Sequence, residues 1–187
     1  MITIVINESG YDEALLGFSL SYNTSLRRAE ELLPAYAFKQ GGENKFLESI
    51  DVWLDVAAPR YWWQEADTYR VGTTKQSEST MHTICKNKLT DDSFENPILT
   101  TTVEYLNSLI YTYCNTNIVE EKQAAFLQIK NALPEGFLQR RIWKLSYKNL
   151  QNIYFQRKSH RLPQWHYFID EVLKQIQHPE FIKPLDM

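Results

Sequence analysis

One stretch of the chain changes its repeat. Ile50, Val52, Leu54 and Val56 alternate with Asp51, Trp53, Asp55 and Ala57. Successive strand side chains point to opposite faces, so this period of two predicts a strand with one apolar face, ended by Pro59. The flanking sequence has a different rhythm. Ile2 to Ile6 is a short apolar run and predicts a strand. Asp12 is placed to cap a helix in which Leu15, Leu16, Ser19, Leu20 and Tyr22 recur at helical spacing. A second helix is expected from Ser25 to Leu33, stopped by Pro34. Gly41-Gly42 marks a turn, and Phe46, Leu47 and Ile50 suggest one or two helical turns. Arg60 to Arg70 reads as a helix running into a loop at Gly72. Thr73 to Thr83 reads as loop or edge strand, and Asp91 to Pro97 as loop.

The C-terminal half reads as helical throughout. Val103, Leu106, Leu109, Ile110 and Tyr113 give one helix, and Glu120 to Ala132 a shorter one. Leu138, Ile142, Leu145, Asn149 and Ile153 are spaced like a long helix. Pro163 suits a first helical position ahead of Trp165, Ile169, Val172 and Ile176. The expected fold class is α/β (α+β): a central sheet flanked by long helices, with at least two strands and five or six helices. A length of 187 residues fits one domain, 1–187, and leaves room for a core without a disulfide or metal staple.

Composition narrows the chemistry. Apolar residues are 43% and charged residues 23%, which excludes a disordered chain, a collagen or a coiled coil. Cys85 and Cys114 are too few for a disulfide framework or a four-cysteine zinc site. His82, His160, His166 and His178 lack metal-ligand spacing, so no metal is expected. No apolar run approaches the roughly 20 residues of a membrane span, and the opening Met1-Ile2-Thr3-Ile4-Val5 lacks the pattern of a signal peptide. A reducing, cytoplasmic location is the expectation. With six glycines there is no G-x-G-x-x-G and no P-loop, so a nucleotide would rest on side chains and helix ends.

Two regions stand out for function. From Gly136 to Ile169 there is no Asp or Glu, while Arg140, Arg141, Lys144, Lys148, Arg157, Lys158 and Arg161 are present. If helical, Arg140, Lys144 and Lys148 line one face, either as a phosphate site or as a solvated basic face. The net charge of -3 argues against wholesale coating of nucleic acid. The second region, Trp62 to His82, concentrates hydrogen-bonding groups just after the strand, as a site does and as a loop also does.

These two regions together resemble the flavin-dependent thymidylate synthases. In that family a strand ends in Ala-Pro and is followed by an Arg-His-Arg triplet, a Ser and a further Arg. Here Ala58-Pro59 is followed at that spacing by Thr68-Tyr69-Arg70. Glu48 matches the Glu of an upstream Glu-His pair, with Ser49 in place of the His. Leu133-Pro134, Arg140, Trp143, Lys148, Leu150, Asn152, Arg157 and Gln164-Trp165 follow the order of the family's C-terminal half.

The resemblance implies an α/β fold, a homotetramer with sites between subunits, and FAD and dUMP as ligands. It implies methylation of dUMP to dTMP, with methylenetetrahydrofolate as methylene donor and NADPH reducing the flavin. Position by position, it implies that Arg157 contacts the uracil edge, Asn152 lies by the flavin, and Arg70 faces a phosphate. Gln64 and Glu65 stand where the family has an Arg-Gln pair on dUMP. Ser77 or Ser79 approximates the motif Ser, with Glu78 at the strict count. Glu48 and Lys148 fall on the cofactor side. The departures fall on cations. Two of the triplet's three residues are missing, Gln64 replaces an Arg, and Thr80 or Met81 occupies the place of the Arg after the motif Ser. They imply an altered or weakened activity, or an inactive scaffold that serves as a nucleotide-binding or protein-interaction module.

Overall fold

The computed structural model describes residues 1–184. It holds a four-stranded sheet in the order β1-β2-β4-β3, built from β1 (Ile2–Ser9), β2 (Asp51–Pro59), β3 (Thr74–Ser77) and β4 (Leu138–Ser146). The helices are α1 (Tyr11–Ser21), α2 (Leu26–Tyr36), α3 (Arg60–Ala66), α4 (Thr80–Thr83), α5 (Thr100–Asn115), α6 (Val119–Ala132), α7 (Tyr147–Arg157) and α8 (Pro163–Gln175). The fold class is the expected mixed α/β one. Tyr147 N–H donates to the Ile50 carbonyl at one end of the β2/β4 pair, and Arg60 N–H to the Phe137 carbonyl at the other, so these strands are antiparallel.

The chain forms two compact units. One comprises Ile2–Val56, Tyr69–Gln76 and residues 142–184. Its core includes Val52, Leu54 and Val56 of β2, Trp143 and Leu145 of β4, and Trp165 and Phe168 of α8, with no side chain among them more than 2% exposed. The period-two reading of β2 therefore holds. In this unit α1 packs on α2, and α8 on β1. Gly10 takes the cap position of α1 at φ 92°, and a Cβ there would lie 2.1 Å from the Ser49 carbonyl oxygen, so only glycine fits.

The other unit comprises Met1, Ala57–Thr68 and Ser77–Arg141. Ile84, Leu89, Phe94, Leu106, Ile110, Ile129 and Leu133 form its core, with α5 packed along α6.

Four expectations from sequence are corrected. The largest concerns Leu138 to Ile153, which is strand β4 followed by helix α7 rather than one long helix. Ser146 makes the break: its hydroxyl accepts from Asn149 N–H, and Asn149 Oδ1 accepts from Ser146 N–H at 3.1 Å, a reciprocal cap that starts a new helix. Arg140, Lys144 and Lys148 therefore share no helix face. Lys144 instead pairs with Asp51 on β2, Nζ to Oδ1 at 2.5 Å. Second, the C-terminal half is not helical throughout. Third, α2 runs through Pro34 to Tyr36. The missing N–H would have served the carbonyl of exposed Glu30, where water can replace it. Fourth, Asp12 is not the cap of α1, because Gly10 takes that place. Asp12 lies in the first turn, where its charge suits the helix dipole.

Candidate functional site

Helix α7 carries three of the sequence-derived candidates: Lys148, Asn152 and Arg157. Its entry is fixed by the Ser146–Asn149 cap, and Asn149 Nδ2 also donates to the Val71 carbonyl at 2.9 Å. That bond ties the turn after Arg70 to the helix start. Gln151 anchors the middle of the helix from its buried side, through Nε2 bonds of 2.8 Å to the carbonyls of Ala37 and Phe181.

Arg157 sits in the last turn of α7, where a cation also suits the helix C-terminus. Its Nε donates to the Tyr69 hydroxyl at 2.9 Å, and that hydroxyl donates to Gln156 Oε1 at 3.0 Å. The guanidinium carbon stands 4.8 Å from the Trp165 ring centre and 5.6 Å from that of Tyr69. Beneath this arrangement Trp165 meets Phe168 edge-on, and Phe168 stacks with Trp143 at 5.6 Å. Lys75 completes the cluster, 4.7 Å above the Trp143 ring and bonded to the Tyr69 carbonyl. The fork of Arg157 is thus pre-positioned on a rigid aromatic base. Such an arginine can recognise a planar carbonyl edge or a phosphate. Arg70 is exposed next to Tyr69, and Asn152 is exposed on α7.

Glu48 and Lys148 are brought together. They line one cavity of about 390 Å³ with Gln40, Gly41, Gly42, Asn44 and Lys45. Gly41 and Gly42 have φ of 79° and 92°, and no atom lies within 4 Å of where their Cβ would be, so a ligand can approach this backbone closely. Two lysines against one glutamate leave the cavity net positive. Lysine binds phosphate as a point charge, so this cavity suits an anionic group. A neighbouring cavity of about 570 Å³ shares Gly41, Gly42 and Lys45 and is walled by Phe18, Tyr22 and Phe46. The Tyr22 hydroxyl donates to Glu43 there, and that bond pushes its pKa up to about 12.

Gln64, Glu65, Ser77 and Ser79 belong to the other compact unit. Gln64 on α3 donates to Glu135 at 2.9 Å, and Arg60 pairs with the same carboxylate at 3.4 Å. Glu65 is half-buried, and its carbonyl accepts from the Thr68 hydroxyl. Ser77 ends β3 and is exposed. Ser79 caps α4, its carbonyl accepting from His82 N–H at 2.9 Å. Lys130 donates to the Thr80 hydroxyl at 2.5 Å, and burial, followed by the charge of Arg60, lowers its pKa.

Two residues escaped the sequence reading. Lys45 and Asn44 line the smaller cavity, and their signal is proximity to Gly41-Gly42. Arg141, one of the cations of the basic segment, is held in place by protein partners. Its Nη1 reaches both carboxylate oxygens of Asp67 at 2.9 and 3.1 Å, its Nη2 donates to Gln139 Oε1 at 2.9 Å, and it stacks 4.4 Å from the Trp63 ring centre. Trp63 Nε1 in turn donates to the Gln139 carbonyl at 2.8 Å. Arg141 shares strand parity with buried Trp143 and Leu145, a period-two signal hidden by the helical reading.

Among the described residues no cluster of His, Cys, Asp or Glu could hold a metal ion, and no helix is long and apolar enough to cross a membrane. No protein-family profile matches the chain, and no curated protein sequence matches it. Solved structures do. One is the flavin-dependent thymidylate synthase ThyX from Helicobacter pylori complexed with FAD and dUMP, with a TM-score of 0.77, 16% identity and 98% of each chain covered. A second structure of Helicobacter pylori ThyX with FAD and dUMP gives a TM-score of 0.78 at 16% identity, again with 98% of both chains covered. The chain has the ThyX fold. At this identity the likeness is one of backbone, and it spans both compact units of the chain.

Proposed function

We propose that this chain acts as one ThyX-like domain, 1–187, in a homotetramer that binds FAD and dUMP, and that its methylation of dUMP to dTMP is weakened or altered. The observation that carries the reading is the likeness of fold along 98% of both chains to two ThyX structures holding FAD and dUMP. Bound FAD, reduced by NADPH, would supply the hydride that completes a methyl group drawn from methylenetetrahydrofolate. The chain's own residues bind and orient. Lys45 and Lys148 neutralise the pyrophosphate beside Gly41-Gly42, with Glu48 on the same wall. Asn152 borders the flavin, and Arg70 faces a phosphate. Arg157, fixed on Trp165, reads the uracil edge. Gln64, Glu65, Ser77 and Ser79 contact the nucleotide.

The weakening follows from charge. A buried, hydrogen-bonded charge pair that loses one partner costs about 2–5 kcal/mol. Gln64 brings no charge where the family has an arginine. The fork of Arg141 is committed to Asp67 and Gln139. Lys144 is committed to Asp51.

These commitments also favour a second reading, an inactive ThyX-like scaffold that works as a nucleotide-binding or protein-interaction module. One pair of measurements separates the two. The absorption spectrum of the purified protein, alone and with FAD and dUMP, tests binding. Formation of dTMP with NADPH and methylenetetrahydrofolate tests chemistry. Slow turnover supports the first reading, flavin binding without turnover supports the second, and no flavin or dUMP binding refutes both nucleotide readings.

A further inference from the structure

A cavity of about 870 Å³ lies between helix α5 and the segment Cys85–Asp91. Both cysteines of the chain line it. Two contacts hold the segment against the helix. Asn107 grips Leu89 twice, accepting from its N–H at 2.8 Å and donating to its carbonyl at 2.9 Å. Two helical turns further on, at i+7 and so on the same face, the Cys114 thiol donates to the Cys85 carbonyl at 3.4 Å. The first contact is a strong bidentate one. The second is a weak thiol bond that fixes little by itself. It nevertheless places the sulfur of Cys114 against the residue that carries the other thiol.

We propose that Cys85 and Cys114 form a reversible intramolecular disulfide, a redox clasp across one wall of this cavity. The two thiols differ in access, and access sets which of them meets a soluble oxidant first. Cys114 is exposed and Cys85 half-buried. Burial, followed by the charge of Cys114, raises the Cys85 pKa, while Lys122 pulls it down. A small disulfide RS–SR, such as oxidised glutathione, is the oxidant. The Cys114 thiolate attacks one of its sulfurs and expels RS⁻, which takes up the proton Cys114 released. The Cys85 thiolate then attacks the Cys114 sulfur of the mixed disulfide and expels the second RS⁻. The protein loses two hydrogens and RS–SR becomes two RSH. The clasp closes a loop from 85 to 114 and replaces the weaker of the two contacts by a covalent bond. It rests on no flavin or nucleotide binding.

The test uses the full chain, titrated with oxidised glutathione, then digested without reduction. The expected result is loss of both free thiols, a linked peptide pair joining Cys85 to Cys114 within one chain, recovery of both thiols with dithiothreitol, and a Tm raised by roughly 5–10 °C in the oxidised form. The variant C85S should stop at a stable glutathione adduct on Cys114, which shows the order of attack. The variant C114S should yield no clasp. Two thiols that stay free, two independent glutathione adducts on the unmodified chain, or a disulfide between chains would each overturn the proposal.

Discussion

Replacing Gln151 by Leu tests how the α7 platform is held. Gln151 is 4% exposed and spends both amide hydrogens on carbonyls, one of Ala37 and one of Phe181. The two acceptors do not fare alike when it goes. The Ala37 carbonyl keeps a second donor, Asn44 Nδ2 at 3.1 Å. The Phe181 carbonyl loses this one. Orphaning a buried acceptor costs about 1–3 kcal/mol, and losing one of two bonds to an acceptor about 0.5–1.5 kcal/mol. The leucine recovers about 1 kcal/mol through apolar burial. The net loss for Q151L is then about 1–3 kcal/mol. With a urea m-value of about 2–3 kcal/mol per molar, the unfolding midpoint falls by roughly 0.3–1.5 M. The sharper test is coupling. In the double variant N44A/Q151L the Ala37 carbonyl loses both donors, so the double loss should exceed the sum of the single losses by about 1 kcal/mol or more. Additivity within about 0.5 kcal/mol would refute the shared-acceptor reasoning.

Further expectations concern the helix cap, alkaline stability and the aromatic platform. G10A should destabilise the chain by more than about 2 kcal/mol in thermal unfolding, because φ of 92° is unfavourable for alanine and the new Cβ collides with the Ser49 carbonyl; a loss below 0.5 kcal/mol would contradict this geometry. The Tyr147 hydroxyl is buried and donates to Glu8 at 2.6 Å, and burial, then this bond, raises its pKa above the ordinary value of 10.0. Its contribution to stability is therefore complete below pH 10 and declines as pH rises further, by at most about 1.4 kcal/mol per pH unit, because only the unfolded chain ionises. Stability of Y147F measured across that alkaline range should fall less steeply, and parallel curves would show that Tyr147 is not responsible. R157A should raise the dUMP Kd in calorimetric titration by roughly 10–100-fold, and R157K should not restore it, since an ammonium cannot reproduce the fork laid on Trp165; full rescue by lysine would count against a role for that geometry.

Much of this fold is legible in the sequence because local and global signals agree. Strand β2 alternates cleanly since one of its faces lines a core, and Pro163 starts α8 because its missing N–H is not needed there. The misreading of β4 has a physical cause. Leu138, Ile142 and Leu145 satisfy a helical spacing by coincidence, while the strand's own signal, Arg141, Trp143 and Leu145 on one face, contains a cation. That cation is tolerated because it meets Asp67, a residue 74 positions away, and such pairing leaves no trace in local periodicity. The Ser146–Asn149 cap is a legible helix start, but it sits inside a helical spacing of residues that continues from Leu138 to Ile153. For the candidate site, the pairing of Glu48 with Lys148 in one cavity follows from packing of the 3₁₀ turn Lys45–Glu48 against α7. The sequence carries both residues, yet their meeting is a tertiary event.

The proposed weak binding of FAD and dUMP on this ThyX fold is tested most directly by a single titration. Purified protein is mixed with FAD, then with dUMP, while the flavin absorption band and the melting temperature are followed. A perturbed band, a raised Tm and a further rise on adding dUMP, at Kd values weaker than those of Helicobacter pylori ThyX measured alongside, are the predicted result. An unchanged spectrum and melting temperature, or affinities equal to those of that enzyme, would contradict it.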